Sequence, residues 1–195
     1  MANRTRWPTP LLVTAAAIAL AGCAGTHDAV DAAAGSTRVV SGGADAFIAP
    51  ESRRLAPAVK GETLDGGQLD LATWRGGVVV VNFWASWCAP CKTEQPQLLR
   101  VAAATRTAGV HVVGVDVKDT RANALAHVRR YAVTYPSLFD HAYHVAARFR
   151  DVSLQALPTT LVLDAQGRVA ARFYGGTTAR ELLPVVQRVA AEPPA

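Results

Sequence analysis

Cysteine is scarce in this chain of 195 residues: Cys23, Cys88 and Cys91 are the only three. A secreted domain stapled by structural disulfides shows several pairs at longer spacings, so that class is excluded. No second cysteine pair accompanies Cys88 and Cys91, which leaves a tetrahedral zinc site two ligands short. His141 and His144 lack the usual ligand spacing and do not make up the deficit. Interleaved basic and aromatic residues are also missing, so the net charge of +5 does not point to nucleic acid. Arg129, Arg130 and the scattered arginines read as solvated faces. There is no internal repeat. No apolar run approaches the ~20 residues of a transmembrane helix.

What is present begins at the N-terminus. Arg4 and Arg6 form a basic start, Leu11 to Ala21 is almost wholly apolar, and Leu20-Ala21-Gly22-Cys23 closes the segment. This is the pattern of a secretory signal, too short to be a span. Its last four residues resemble the lipobox of bacterial lipoproteins, which implies that Cys23 becomes the lipid-bearing first residue of the exported chain. Loss of Arg4 and Arg6 with the signal takes the charge from +5 to +3, a modest excess that suits an anionic membrane surface. Residues 23–50 are rich in Ala, Gly, Ser, Thr and Asp and read as a flexible tether. The expected organisation is therefore a signal over 1–22, a lipidated tether over 23–50 and a folded domain over 51–192, held at the outer face of the cell membrane.

Within the domain, Leu64 to Leu69 carries two adjacent glycines and reads as a hairpin turn. Val78 to Trp84 is β-branched and continuous, the signature of a buried strand, and Val110 to Val117 reads as a second one. Lys92 to Thr107 has helical apolar spacing, and Gly109 is placed to stop it. A second helix is expected from Asp119-Thr120 through Tyr131, a short strand over Tyr135 to Phe139, and a further helix from His141 to Phe149. Thr159 to Leu163 and Val169 to Tyr174 form a hairpin, and Thr178 to Ala191 a terminal helix. Alternation of this kind predicts an α/β fold with a central mixed sheet covered by helices on both faces.

The informative segment is Asn82-Phe83-Trp84-Ala85-Ser86-Trp87-Cys88-Ala89-Pro90-Cys91, where a buried strand turns into a helix. Two thiols separated by two residues close into a disulfide and reopen. At a helix start, unpaired backbone N–H groups and the helix dipole favour the thiolate of the first. Cys88 is thus the attacking thiol and the more exposed of the two. Cys91, one turn inward, resolves the mixed disulfide by attacking the Cys88 sulfur. Pro90 removes an N–H donor from between them. No cofactor beyond this redox pair, and no metal, is called for. Glu94 stands three positions after Cys91 on the same helical face; as a residue of the first turn it has an alternative reading, a solvated carboxylate favoured by the dipole. Trp84, Phe83 and Phe139 read as core. His111, placed in a strand, and His127, His141 and His144, placed on helices, read as structural or solvated.

NFWASWCAPCKTEQP, GVHVVGVDVKD, YPSLFD, ALPTTLVLD and GRVAARFYG, in that order, resemble the ResA/TlpA-like branch of the thioredoxin superfamily over about residues 50–191. The resemblance implies a thioredoxin-like fold with an N-terminal β-hairpin, and a helix–strand insertion between Asp119 and Asp140. It implies that Trp87 is a flat apolar rim for substrate. It also implies that Pro158 is cis and packs against the active disulfide, leaving the backbone of Leu157 to pair with substrate, and that Pro96 kinks the active-site helix. Thioredoxins usually carry a buried Asp where this chain has Asn82, so the resemblance assigns proton handling or thiol tuning to Glu94. It further implies an extracytoplasmic thiol–disulfide oxidoreductase that keeps the Cys-x-x-Cys-His site of apocytochrome c reduced, with electrons from a membrane dithiol donor. Alternatives are a disulfide-forming oxidase of secreted proteins, or a reductase or metallochaperone for copper-site assembly. A peroxidase is disfavoured because no Thr-x-x-Cys surrounds Cys88.

Overall fold

The computed structural model of the chain describes residues 47–149 and 156–193. Cys23, the signal and most of the tether lie outside the described residues. The strands are β1 (Lys60–Glu62), β2 (Gln68–Asp70), β3 (Val78–Trp84), β4 (Val110–Val117), β5 (Ser137–Asp140), β6 (Thr159–Leu163) and β7 (Val169–Tyr174). The helices are α1 (Ala89–Thr105), α2 (Arg121–Arg130) and α3 (Ala179–Ala190). β1 and β2 pair antiparallel as the expected hairpin, with Lys60 opposite Asp70. The other five form one sheet in the order β5-β4-β3-β6-β7. β3 runs parallel to β4 and antiparallel to β6, so the sheet is mixed.

Every residue of β3 is buried because the strand is central and covered on both faces. Alternation along it divides the core. Val78 and Val80 pack with Leu98 and Val101 of α1 and with Leu182 and Val186 of α3. Val79, Val81 and Phe83 pack on the opposite face with Ala124 of α2, Leu138 and Phe149. A thioredoxin-like α/β sheet with helices on both faces is thus the observed architecture. Among the described residues, no helix is long and apolar enough to cross a membrane.

Helix ends follow local chemistry. Gly109, at φ +69°, follows the short 3-10 turn that ends α1, a conformation that costs glycine little. Thr178 caps α3 in a reciprocal capping box with Glu181. Phe47 pairs with Ala171 of β7, and Arg53 is inserted among Asp164 and Glu192, so residues 47–53 lie on the domain.

Two local expectations are corrected. The strand expected over Tyr135 to Phe139 occupies Ser137–Asp140 instead. The helix expected from His141 to Phe149 is a series of turns with one 3-10 turn at Ala146–Arg148, so His141 and His144 are not on a helix. The cause is Asp140, whose carboxylate accepts the backbone N–H groups of His144, Val145 and Ala146 at 2.7–3.0 Å. Tyr143 also adopts φ +65°. Side-chain capture of consecutive N–H groups competes with the helical ladder.

Candidate active site

The site forms where β3 ends and α1 begins. Cys88 is the N-cap of α1 with extended backbone, and its sulfur accepts the Cys91 N–H at 3.2 Å, the place usually taken by a capping oxygen. Cys88 and Cys91 are joined in a disulfide of 2.00 Å. The expected contrast in exposure is small in this oxidised state: Cys88 is 5% exposed and Cys91 3%. Trp87 is the outlier at 53% exposed, a large apolar surface directly before Cys88. The Leu157–Pro158 peptide is cis, and both residues are buried at the start of β6.

Glu94 is 2% exposed, which overturns the solvated reading. One carboxylate oxygen accepts the Thr177 N–H at 3.0 Å and the Thr160 hydroxyl at 3.4 Å; the other accepts the Asn82 amide at 2.7 Å. Asn82 also donates to Thr160, its antiparallel partner across β3 and β6. These donors favour the carboxylate, but burial outweighs them and pushes Glu94 up to about 7. A carboxyl with this value is partly protonated at neutral pH, so it can take or give a proton.

On the other side of the motif, the β4–α2 connection clamps the active-site loop. The Asp119 carboxylate accepts the Ser86 N–H at 2.6 Å, and the Lys118 carbonyl accepts the Trp87 indole N–H at 3.0 Å. Lys118 stands at φ +52°, an uncommon conformation for a residue with a side chain. Below the loop, Asp116 is fully buried, and neither of its oxygens has a hydrogen-bond partner among the described residues. Burial pushes it up to about 8, helped by the Asp119 and Asp140 carboxylates. His127 is buried against Trp84 and Tyr131, with Nε2 at 3.2 Å from Gln95 Oε1. Burial, with the Lys92 charge next, pushes His127 down to about 4, so it is neutral. Gln95 in turn donates to the Tyr135 hydroxyl at 2.5 Å.

The fold therefore gathers Trp87, Cys88, Cys91, Glu94 and the Leu157–Pro158 segment around the end of β3. Cys23 lies outside the described residues. Sequence reasoning missed Asp116 and Thr177, and took Asp119 only as a helix start. Asp116 had a signal, a carboxylate inside an otherwise apolar strand run; the backbone donor at Thr177 had none. Among the described residues, no cluster of His, Cys, Asp and Glu is disposed to hold a metal.

Comparison with known proteins agrees with this geometry. The AhpC/TSA family matches residues 53–172. The thiol-disulfide oxidoreductase ResA of Bacillus cereus is 26% identical over 126 residues, covering 65% of this chain and 71% of that protein. The thiol:disulfide interchange protein DsbE of Allochromatium vinosum is 37% identical over 118 residues, 58% of this chain and 62% of that one. A secreted thiol-disulfide isomerase from Corynebacterium glutamicum superposes with a TM-score of 0.71 at 33% identity, covering 75% of this chain and 91% of its own. The chain belongs to the AhpC/TSA family and is a thioredoxin-like thiol–disulfide oxidoreductase similar to the ResA and DsbE proteins.

Proposed function

We propose that this protein is an extracytoplasmic protein-disulfide reductase, anchored to the membrane through a lipid on Cys23, that acts on the Cys-x-x-Cys-His segment of apocytochrome c. The observation that carries the reading is the Cys88–Cys91 disulfide at the N-terminus of α1, with a buried carboxyl one turn further along. In the reduced protein the Cys88 thiolate, favoured by the helix start, attacks one sulfur of the substrate disulfide. The substrate bond breaks, a mixed disulfide forms, and one substrate thiolate leaves. The Cys91 thiolate then attacks the Cys88 sulfur, releasing the second substrate thiolate and restoring the Cys88–Cys91 bond. Two electrons pass to the substrate, and the two protons of the original thiols end on its two cysteines. Glu94 accepts the Cys91 proton and returns it to the departing thiolate. Trp87 supplies an apolar surface for the substrate peptide, and the Leu157 backbone beside Pro158 pairs with its main chain. A membrane dithiol protein returns two electrons to the pair.

A second reading, a disulfide-forming or isomerising enzyme for secreted proteins, draws support from the similarity to a secreted thiol-disulfide isomerase. Both readings use the same chemistry and differ in the reduction potential of the pair. The deciding measurement equilibrates the protein with glutathione and with a disulfide-bonded Cys-x-x-Cys-His peptide. A potential below about −220 mV with peptide reduction supports the reductase. A value near −120 mV, that of a strong oxidant, would overturn it.

A further inference from the structure

Between the start of α1 and α2 opens a groove of about 430 Å³ whose walls include Ser86, Lys92, Asn123, His127, Arg130 and Tyr131. Two of its lining residues neighbour the redox pair along the chain: Ser86 lies two residues before Cys88, and Lys92 directly follows Cys91. One wall is the first turn of α1. The other is α2, part of the helix–strand segment between Asp119 and Asp140. Lys92 and Arg130 are exposed at its rim, and no carboxylate lines it.

The nearby Asp119 carboxylate offsets part of this charge but is not among the groove-lining residues. Asp119 is turned to the backbone, accepting the Ser86 N–H at 2.6 Å and the Thr120 N–H at 2.7 Å. His127 in the wall is neutral and packed between Trp84 and Tyr131, so it shapes the groove without adding charge. The Arg130 guanidinium lies over the Tyr131 ring at 5.9 Å, which limits its wandering. The Asn123 amide adds a neutral polar group. Two cations, an amide and an aromatic wall, open to solvent on one side, complement a carboxylate on a flexible peptide. They repel a lysine in the same place.

We propose that this groove is a specificity subsite for an acidic side chain of the substrate polypeptide, lying within about three residues of the cysteine that Cys88 attacks. The proposal rests on the thiol–disulfide exchange assigned above and adds to it which disulfides are preferred. Lys92 and Arg130 are then specificity residues that act on encounter and docking without taking part in electron transfer.

The test uses the full-length reduced protein and two disulfide-bonded peptides identical except for Glu or Lys two residues from the reacting cysteine. Near 0.05 M salt we expect kcat/KM for the Glu peptide to exceed that for the Lys peptide by about tenfold, falling to about threefold or less near 0.5 M as the rim charges are screened. The double variant Lys92→Gln/Arg130→Gln should bring the two peptides within about twofold of each other at low salt. Equal rates for the two peptides with the natural protein at low salt, while both are reduced, overturn the proposal. So does a Glu preference that survives undiminished in the double variant. Failure to reduce either peptide is a different result, because it removes the underlying exchange reading.

Discussion

Replacement of Glu94 by Gln removes the charge while keeping the shape of the side chain, and the structure allows its consequences to be worked out. Burial raises the carboxyl from 4.5 to about 7 despite donors at Thr177, Asn82 and Thr160. At 1.36 kcal/mol per unit, ionising it in the folded protein costs roughly 3 kcal/mol more than in the unfolded chain. The folded state binds the proton more tightly, so this group costs nothing below about pH 4.5. The cost grows between 4.5 and about 7 and is complete above that. Glu94→Gln lacks this dependence. Its oxygen still accepts the Thr177 N–H, and its amide is accommodated if Asn82 reverses to present its own oxygen. In urea unfolding, wild-type stability should therefore fall between pH 4 and 8 by roughly 3 kcal/mol more than that of the variant. Other groups such as Asp116 affect both proteins alike and cancel in the difference. Kinetically, the variant has no carboxyl to hold the Cys91 proton. Stopped-flow tryptophan fluorescence should show exchange slowed about 10²-fold, the low end for loss of a general acid–base group. The inflection near pH 7 should also be missing from its rate profile. An inflection that persists, together with a rate within twofold of wild type, would refute the proton-handling role.

Three further outcomes are expected. Cys91→Ser should accumulate a mixed disulfide with substrate, visible as a heavier band on non-reducing gels, whereas Cys88→Ser should form none. Asp119→Ala removes the acceptor of the Ser86 N–H and should destabilise the protein by about 1–2 kcal/mol in urea unfolding. It should also raise KM for a peptide substrate more than it lowers kcat, with Asp119→Asn recovering most of both; equal loss in Asn and Ala would contradict the clamp. Gly114→Ala should lower Tm by roughly 5–10 °C, equivalent to about 2–3 kcal/mol of overpacking. The added Cβ would lie 2.2 Å from Ser137 Oγ and 2.6 Å from Trp84 Nε1.

Much of the fold could be read along the chain because its strands are unusually plain. β3, β4, β6 and β7 have the residue bounds expected from their predominantly apolar runs, and the interior strands β3, β4 and β6 are almost wholly buried, which is why their runs carry few polar residues. The turns at the glycine pair after Leu64 and at Gly109 were legible from backbone freedom. The segment after β5 was not. Its apolar spacing resembles a helix from His141 to Phe149, yet Asp140 captures the N–H groups a helix would need. Periodicity reports which residues face a core, not which donors a neighbouring carboxylate has taken.

The same division runs through the site. The pairing of Cys88 with Cys91 and the position of the first sulfur at a helix start follow from the local sequence, because the flanking runs place a helix start there and a three-residue offset in a helical turn brings the two close. The state of Glu94 does not follow from its neighbours in sequence. Its donors come from Asn82, Thr160 and Thr177, up to 83 residues away, and its burial from the closing of α1 onto the sheet. The Asp119 hold on Ser86 and the basic groove along α2 likewise bring together separate segments. Bond-forming geometry at short range is encoded locally. Desolvation and charge at that geometry are set by whichever distant parts of the chain pack around it, and only the folded arrangement specifies them.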